Sequence, residues 1–280
     1  MSRHIFALTL IFAVTFLGSF AASAAQANPK LYVFDCGYLA THDITAFGLS
    51  NDETDVRELF VPCYLIEHSK GRMLWDGGLP LAIAGRGMQQ DPSGFSMEYK
   101  RSIVDQLADM SIGLADIDLM AFSHFHWDHV GAANAFKNSH LLIQQTEYDA
   151  AFLDAESNPV FNPALYNELH NSSKTLLNGD HDVFGDGSVT IISAPGHTPG
   201  HQTLLIRLEN TGPIMLSGDL YHFEASRRLR RTPSFNTNAE QTLAAMDRVE
   251  EVIKETGATL WIEHNLALAK TLNMAPAFYD

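Results

Sequence analysis

Along this chain, apolar and polar positions mostly alternate in short runs cut by turn residues, and only in a few stretches do they settle into a helical period. The runs at 31–34, 61–67, 72–75, 117–122 and 141–144 are rich in β-branched and aromatic residues and predict strands. The runs at 189–193, 202–208, 213–217 and 259–262 repeat that style in the second half. Between them, Ile103, Leu107 and Met110 share one face of a helix predicted over 97–110. Residues 131–136 continue helically, and Glu147 starts a possible helix reaching 153. The stretch 154–180 is rich in Asn, Ser and Pro and reads as a loop or lid with a short helix near 164–169. The clearest helix is 239–256, with Leu243, Met246, Val249 and Ile253 on one stripe and Gly257 ending it. Two strand-rich halves, each with helices, predict two sheets sandwiched between helical layers.

The first residues have a different pattern. Residues 5–20 are apolar and uncharged behind a single Arg3, and Ala22-Ser23-Ala24 and Ala25-Gln26-Ala27 both suit signal cleavage. The alternative is a retained anchor, but at 1.5 Å per residue the run spans roughly 24 Å against a hydrocarbon core of about 30 Å. The reading is a cleaved signal peptide over 1–27, then one domain over 28–280. The mature protein is expected to be periplasmic or secreted, without stable membrane association.

Export permits disulfides. Cys36 and Cys63, the two cysteines, both sit in strand-like runs and could bridge if those strands pair; the preferred reading is two small buried hydrophobes. Composition narrows the partners further. With Lys+Arg 18 against Asp+Glu 33, the formal net charge is −15, and such a surface repels phosphate backbones. The charge disfavours a nucleic-acid partner and phosphodiesterase or ribonuclease action.

Thirteen histidines in so acidic a chain turn attention to Ser123-His124-Phe125-His126-Trp127-Asp128-His129. Imidazole and carboxylate suit Zn²⁺ or Fe. Packing offers no reason for three imidazoles and a carboxylate this close, because they would repel or stay unsatisfied without a cation. In an extended chain His124 and His126 point to the same side, while a turn after His126 presents Asp128 and His129 to a second point. The remaining ligands must come from elsewhere. His197, Asp219 and His264 each end an apolar strand-like run, so their strands can bring them to one edge. The pattern predicts one cation held by His124, His126 and His197, and a second held by Asp128, His129 and His264. Asp219, with two oxygens, is the natural bridge.

With its HFHWDH segment, this chain resembles the metallo-β-lactamase-fold hydrolases, whose motif is H-x-H-x-D-H. Asp76-Gly77-Gly78 and the segment Pro195 to His201 resemble that family's turn and second metal segment. Within the family, LYVFDCG, VPCYLIEHSKG followed by LWDGG, and SGDLYHFEASR are most like the N-acyl-homoserine lactonase group. The resemblance implies an α/β, αββα sandwich, two divalent metal ions with Zn²⁺ the first expectation, and a small-molecule lactone or ester substrate. It also implies ring opening by a water shared between the metals, with Asp128 or Asp219 moving the proton. Lactonases of that group often carry a tyrosine three residues after the bridging aspartate. Here that position is His222, with Tyr221 beside it, and either could donate to the substrate carbonyl.

Asp76 could orient a ligand imidazole or serve only the turn. His201 reads as structural. His42, His68, His140, His170 and His181 read as surface or capping residues, and Arg227, Arg228, Arg230 and Arg231 as a solvated, ion-paired loop. Rival functions rank lower. A glyoxalase II-like thioesterase usually carries a basic C-terminal extension, and Lys270 is the only basic residue after His264. β-Lactamases of this fold usually place Cys or Ser near the position of Asp219. A diiron oxygen-reducing protein would have Glu where His126 stands. An exported zinc-binding protein with an inactive site is the non-enzyme alternative.

Overall fold

A computed structural model describes residue 1 and residues 28–90, 94–155 and 160–280; the expected signal peptide at 1–27 lies, but for Met1, outside them. The strands in chain order are β1 (Lys30–Ala40), β2 (Glu58–His68), β3 (Gly71–Trp75), β4 (Gln89–Gln90), β5 (Ser96–Glu98), β6 (Leu119–Ala121) and β7 (His140–Gln144). There follow β8 (Lys174–Leu177), β9 (His181–Asp182), β10 (Val189–Ser193), β11 (Gln202–Leu208), β12 (Gly212–Leu216), β13 (Thr259–Trp261) and β14 (Phe278–Tyr279). One sheet has the order β4-β5-β1-β2-β3-β6-β7-β8, with β14 also on β1, and the other β13-β12-β11-β10-β9. Both are mixed, since β3, β6, β7 and β8 run parallel, as do β12 and β13, among otherwise antiparallel pairs.

Strand alternation builds three apolar layers. Leu31 and Val33 of β1, Tyr64 and Ile66 of β2, and Leu204, Ile206 and Leu216 fill the space between the sheets. The intervening positions face outward: Phe34, Val61, Cys63 and Leu65 pack with Ile103 and Leu107 of α1 (Ile103–Asp109). On the other flank Ile192, Leu205 and Met215 pack against Ala245, Met246 and Val249, on the helix that spans Ala239–Thr256. The result is the αββα sandwich expected from sequence. Among the described residues no helix is long and apolar enough to cross a membrane.

Several local expectations change. The helix predicted from residue 97 begins only at Ile103, where the Ser102 side chain accepts from the Asp105 N–H. Met97 and Glu98 instead pair with Leu39 and Tyr38 of β1, a partnership more than 50 residues away in sequence. The loop read over 154–180 contains β8, which extends the parallel set beside β7. Cys36 and Cys63 form a disulfide, with Cα atoms 5.7 Å apart, rather than standing as two free hydrophobes. The strands carrying them do pair, Phe34 opposite Cys63, with a bulge after Asp35 that swings Cys36 toward its partner. Closing a loop of 27 residues is worth about 3.5 kcal/mol. Replacing both cysteines with serine is therefore expected to lower unfolding free energy by about that amount in a urea titration; an unchanged midpoint would contradict it.

Candidate metal centre

Topology brings the predicted ligands together. β10 and β12 are both antiparallel to β11, so they point the same way, and β13 is parallel to β12. The segments leaving their C-terminal ends carry His197, Asp219 and His264 to one edge. In the other sheet β3 and β6 are parallel, so Asp76 and the His124–His129 loop emerge at one edge too. The two edges are tied by the Gln202 N–H on the Ser123 carbonyl at 2.9 Å.

There two groups of ligand atoms converge, each with its atoms within 4.8 Å of one another: His124, His126, His197 and Asp219, then Asp128, His129 and His264. All seven residues are buried. In the first group His197 Nε2 lies 3.2 Å from His124 Nε2 and 3.1 Å from His126 Nδ1, and Asp219 Oδ2 lies 3.2 Å from His197 and 3.5 Å from His124. Its other oxygen turns to the second group, 2.9 Å from His264 Nε2 and 3.3 Å from His129 Nε2. Asp128 Oδ2 stands 3.7 Å from His264 and 3.8 Å from His129. The edges of a tetrahedron of nitrogens around a zinc-sized ion measure roughly 3.3 Å.

The outer face of the cluster shows why these contacts are not ordinary hydrogen bonds. His197 Nδ1 donates to Asn236 Oδ1 at 2.8 Å, His129 Nδ1 to Asp76 Oδ2 at 2.8 Å, and His264 Nδ1 to the Phe60 carbonyl at 2.7 Å. Each imidazole spends its proton outward, so its Nε2 presents a lone pair inward. His129 Nε2 and Asp219 Oδ1 are buried without a hydrogen-bond partner. Lone pairs facing lone pairs in a dry pocket call for a cation. The electrostatics agree. Burial pushes the His124 and His126 imidazoles well down, and neighbouring imidazoles act the same way. At His264 burial is outweighed by Asp219 and Asp128, which hold it up at about 9, so a proton and a cation compete for its inward-facing Nε2. The donor set therefore fits two divalent cations.

Of the remaining sequence candidates, Asp76 has the orienting position: it accepts from His129, from the Ser123 N–H at 2.6 Å and from the Ser123 hydroxyl at 2.9 Å. It also holds a left-handed φ of 61°, a backbone state that aspartate tolerates better than most residues. His222 Nε2 reaches Asp219 Oδ2 at 2.9 Å, and its ring stands 4.9 Å from that of Phe47 and 6.0 Å from that of Phe235. Tyr221, expected from sequence as an alternative donor, is turned away: its hydroxyl donates to Glu250 at 3.0 Å, and its ring packs between the second sheet and the Ala239–Thr256 helix. Tyr221→Phe is accordingly expected to cost about 1 kcal/mol of stability and to leave turnover unchanged; loss of turnover at full metal content would restore Tyr221 to the site.

His201 is structural but close: its Nδ1 donates to the Ala194 carbonyl, and its Nε2 accepts the Asp219 N–H at 2.9 Å. Burial first, then the neighbouring His197, push it down to about 3, so it stays a neutral acceptor that sets the Asp219 backbone. His68 is buried, stacked on Phe184 and 3.0 Å from Asp186, rather than on the surface. The basic run is ion-paired as expected, Arg227 with Glu250, Arg230 with Asp247 and Arg231 with Glu53, although its first part is helical, Glu224–Leu229. Sequence reasoning missed Asn236 and Glu147, whose only local signal is a polar residue type, and the Phe60 main-chain carbonyl, which has no residue-type signal.

A cavity of about 70 Å³ opens onto Asp128, Asp219, His126, His222 and His264, walled by Leu39, Phe47, Leu59, Phe95, Trp127 and Phe235. Phe47 and Phe235 meet edge to face in its wall, with ring centroids 5.5 Å apart, and their loops are joined where the Ala46 carbonyl accepts from the Ser234 N–H at 2.8 Å.

Residues 56–253 match the family model of the metallo-beta-lactamase superfamily. The chain is 29% identical over 240 residues to the N-acyl homoserine lactonase AttM of Azorhizobium caulinodans, covering 80% of this chain and 88% of that one. It is 28% identical over 225 residues to the N-acyl homoserine lactonase AiiA of Bacillus thuringiensis subsp. kurstaki, covering 77% and 85%. Among solved structures it is similar to an N-acyl homoserine lactone hydrolase with N-hexanoyl-L-homoserine, its product, at the catalytic metal centre. There the TM-score is 0.77 at 25% identity over 90% of this chain and 99% of that one. The dizinc quorum-quenching lactonase AidC shares the fold, with a TM-score of 0.65 at 18% identity over 91% and 97%.

Proposed function

The chain belongs to the metallo-beta-lactamase superfamily, and from that premise we propose that it is a metal-dependent hydrolase that opens the lactone ring of N-acyl homoserine lactones. One observation carries the reading: the two oxygens of Asp219 are divided between two groups of inward-facing ligand atoms directly beneath an apolar-walled cavity. The likeness to lactonases over about four fifths of the chain supports the substrate class.

His124, His126 and His197 would hold one cation, Asp128, His129 and His264 the other, and Asp219 both. Bound there, two divalent ions, with Zn²⁺ the first expectation, would supply Lewis acidity and a water of near-neutral pKa. The rest falls to the chain's own groups. Asp76, Asn236 and the Phe60 carbonyl fix the orientation of the imidazoles, so no ligand ring has to be turned. The His222 Nε2–H, resting on Asp219, is the donor that a substrate carbonyl oxygen would meet as negative charge develops on it. Asp128, at the cavity wall, would take a proton from the attacking water and pass it to the departing alkoxide oxygen. The aromatic walls suit an uncharged acyl tail and need no basic funnel, in keeping with the acidic surface.

The disulfide supports the further proposal that the protein works outside the cytosol, after loss of its first 27 residues. Incubation with acyl-homoserine lactones of several tail lengths, followed by detection of ring-opened acid, tests the activity. Lactones are expected to open; efficient cleavage of β-lactams or glutathione thioesters with lactones intact would overturn the reading. His222→Phe is expected to lower kcat about 100-fold with KM little changed, and His222→Tyr to recover most of it. Unchanged kcat in the phenylalanine variant would remove His222 from the mechanism.

A further inference from the structure

A buried carboxylate outside the ligand set joins the two loops that carry the first group. Glu147 lies at the end of β7, in α2 (Gln145–Tyr148), with 1% of its surface exposed. Its Oε1 accepts the Phe125 N–H at 2.9 Å, and its Oε2 accepts the Gly200 N–H at 2.7 Å. Phe125 stands between His124 and His126, and Gly200 follows His197 by three residues. The two amides come from different sheets, and one side chain collects both. The fit is close: a Cβ on Gly200 would come within 2.5 Å of the Glu147 nitrogen. Next to it the Thr146 hydroxyl donates to the Pro199 carbonyl at 3.0 Å. The second group is held by other residues: His264 through the Phe60 carbonyl, His129 through Asp76, and the Asp219 loop through Glu263, whose Oε1 accepts the Gly218 N–H at 2.9 Å.

We propose that Glu147 is a positioning residue for the first cation alone: by clamping the Phe125 and Gly200 amides it fixes the separation of His124 and His126 from His197. A carboxylate suits this because both oxygens accept; a glutamine of the same shape offers one oxygen and sets an N–H against the second amide. Loss of an outer hydrogen-bond partner typically lowers metal affinity about 10- to 100-fold, and here the loss falls on one site of two. The inference rests on the reading of this cluster as a two-metal centre.

The test compares full-length wild-type protein with Glu147→Gln, both loaded with Zn²⁺ and dialysed against rising concentrations of a chelator, with bound zinc and far-ultraviolet circular dichroism read at each step. The variant is expected to release one equivalent at about tenfold lower chelator concentration or less, to keep the other at the wild-type concentration, and to stay folded. Release of both equivalents together at the wild-type concentration, or a fall in melting temperature with unchanged zinc retention, would overturn the clamp. Wild-type protein that never holds two equivalents would overturn the centre itself and this inference with it. Hydrogen exchange on the wild type gives a check that needs no variant. The Phe125 and Gly200 amides are expected to remain protected after zinc is removed, and free exchange of either would also overturn the proposal.

Discussion

Asp219→Ala is expected to abolish ring opening, lowering kcat/KM by a factor on the order of 10⁴ or more, while the chain keeps its fold. Its two oxygens are divided between the two groups of ligand atoms. One oxygen lies 2.9 Å from His264 and 3.3 Å from His129, the other 3.2 Å from His197 and 3.5 Å from His124. Removing it strips an anionic donor from both cation positions at once and leaves six imidazole and carboxylate ligands with one negative charge fewer. Asp219→Asn keeps the shape and one acceptor oxygen, so it is expected to retain one metal equivalent and to remain far below wild type. His126→Ala, which touches only the first group, is also expected to abolish turnover but to leave the second group's ion in place. Turnover within about tenfold of wild type in Asp219→Ala would mean that the bridge is not part of the chemistry.

The second large effect concerns a residue with no functional atom. Gly131 follows the HFHWDH segment, and a Cβ there would overlap the backbone of Leu79 and Gly78. The close approach is built from main-chain bonds: Gly131 N–H to the Gly78 carbonyl at 2.9 Å and Ala132 N–H to the Gly77 carbonyl at 3.1 Å. The turn they clasp is the one that carries Asp76 and rests on the Cys36–Cys63 disulfide, against which Gly78 packs. Gly131→Ala must push these two loops apart, and with them Asp76 and His129. It is expected to cost about 3 kcal/mol in a denaturant titration and to lower affinity for the second cation more than for the first. Wild-type stability with full metal content would show that the clasp is looser than its geometry implies.

The parts of this architecture legible in the sequence were those written in local patterns. The Ala239–Thr256 helix ends where Leu243, Met246, Val249 and Gly257 said it would, because a long amphipathic stripe and a terminating glycine are local signals. The layering followed from alternation in β1, β2, β11 and β12. The clustering of the candidate ligands was legible because chemistry is concentrated in their residue types and because strands of one direction release their ends at one edge. What escaped depends on partners distant in sequence. Met97 and Glu98 look helical until β1 offers a backbone ladder. Tyr221 and His222 are neighbours on an extended stretch, so they face opposite ways, and only the packing of the Ala239–Thr256 helix decides which one faces the site. Glu147 finds its amides 22 and 53 residues away. The cysteines needed a strand register, and the bulge within it, before a bridge could be assigned.

The account turns on a pair of cations held by side chains from both sheets. Elemental analysis of purified, folded, full-length protein, run beside a lactone-opening assay on the same sample, tests that most directly. Two equivalents of divalent metal per chain are predicted, with activity falling in step as they are withdrawn and returning when they are restored. A well-folded sample that opens lactones at full rate with less than one equivalent would contradict it.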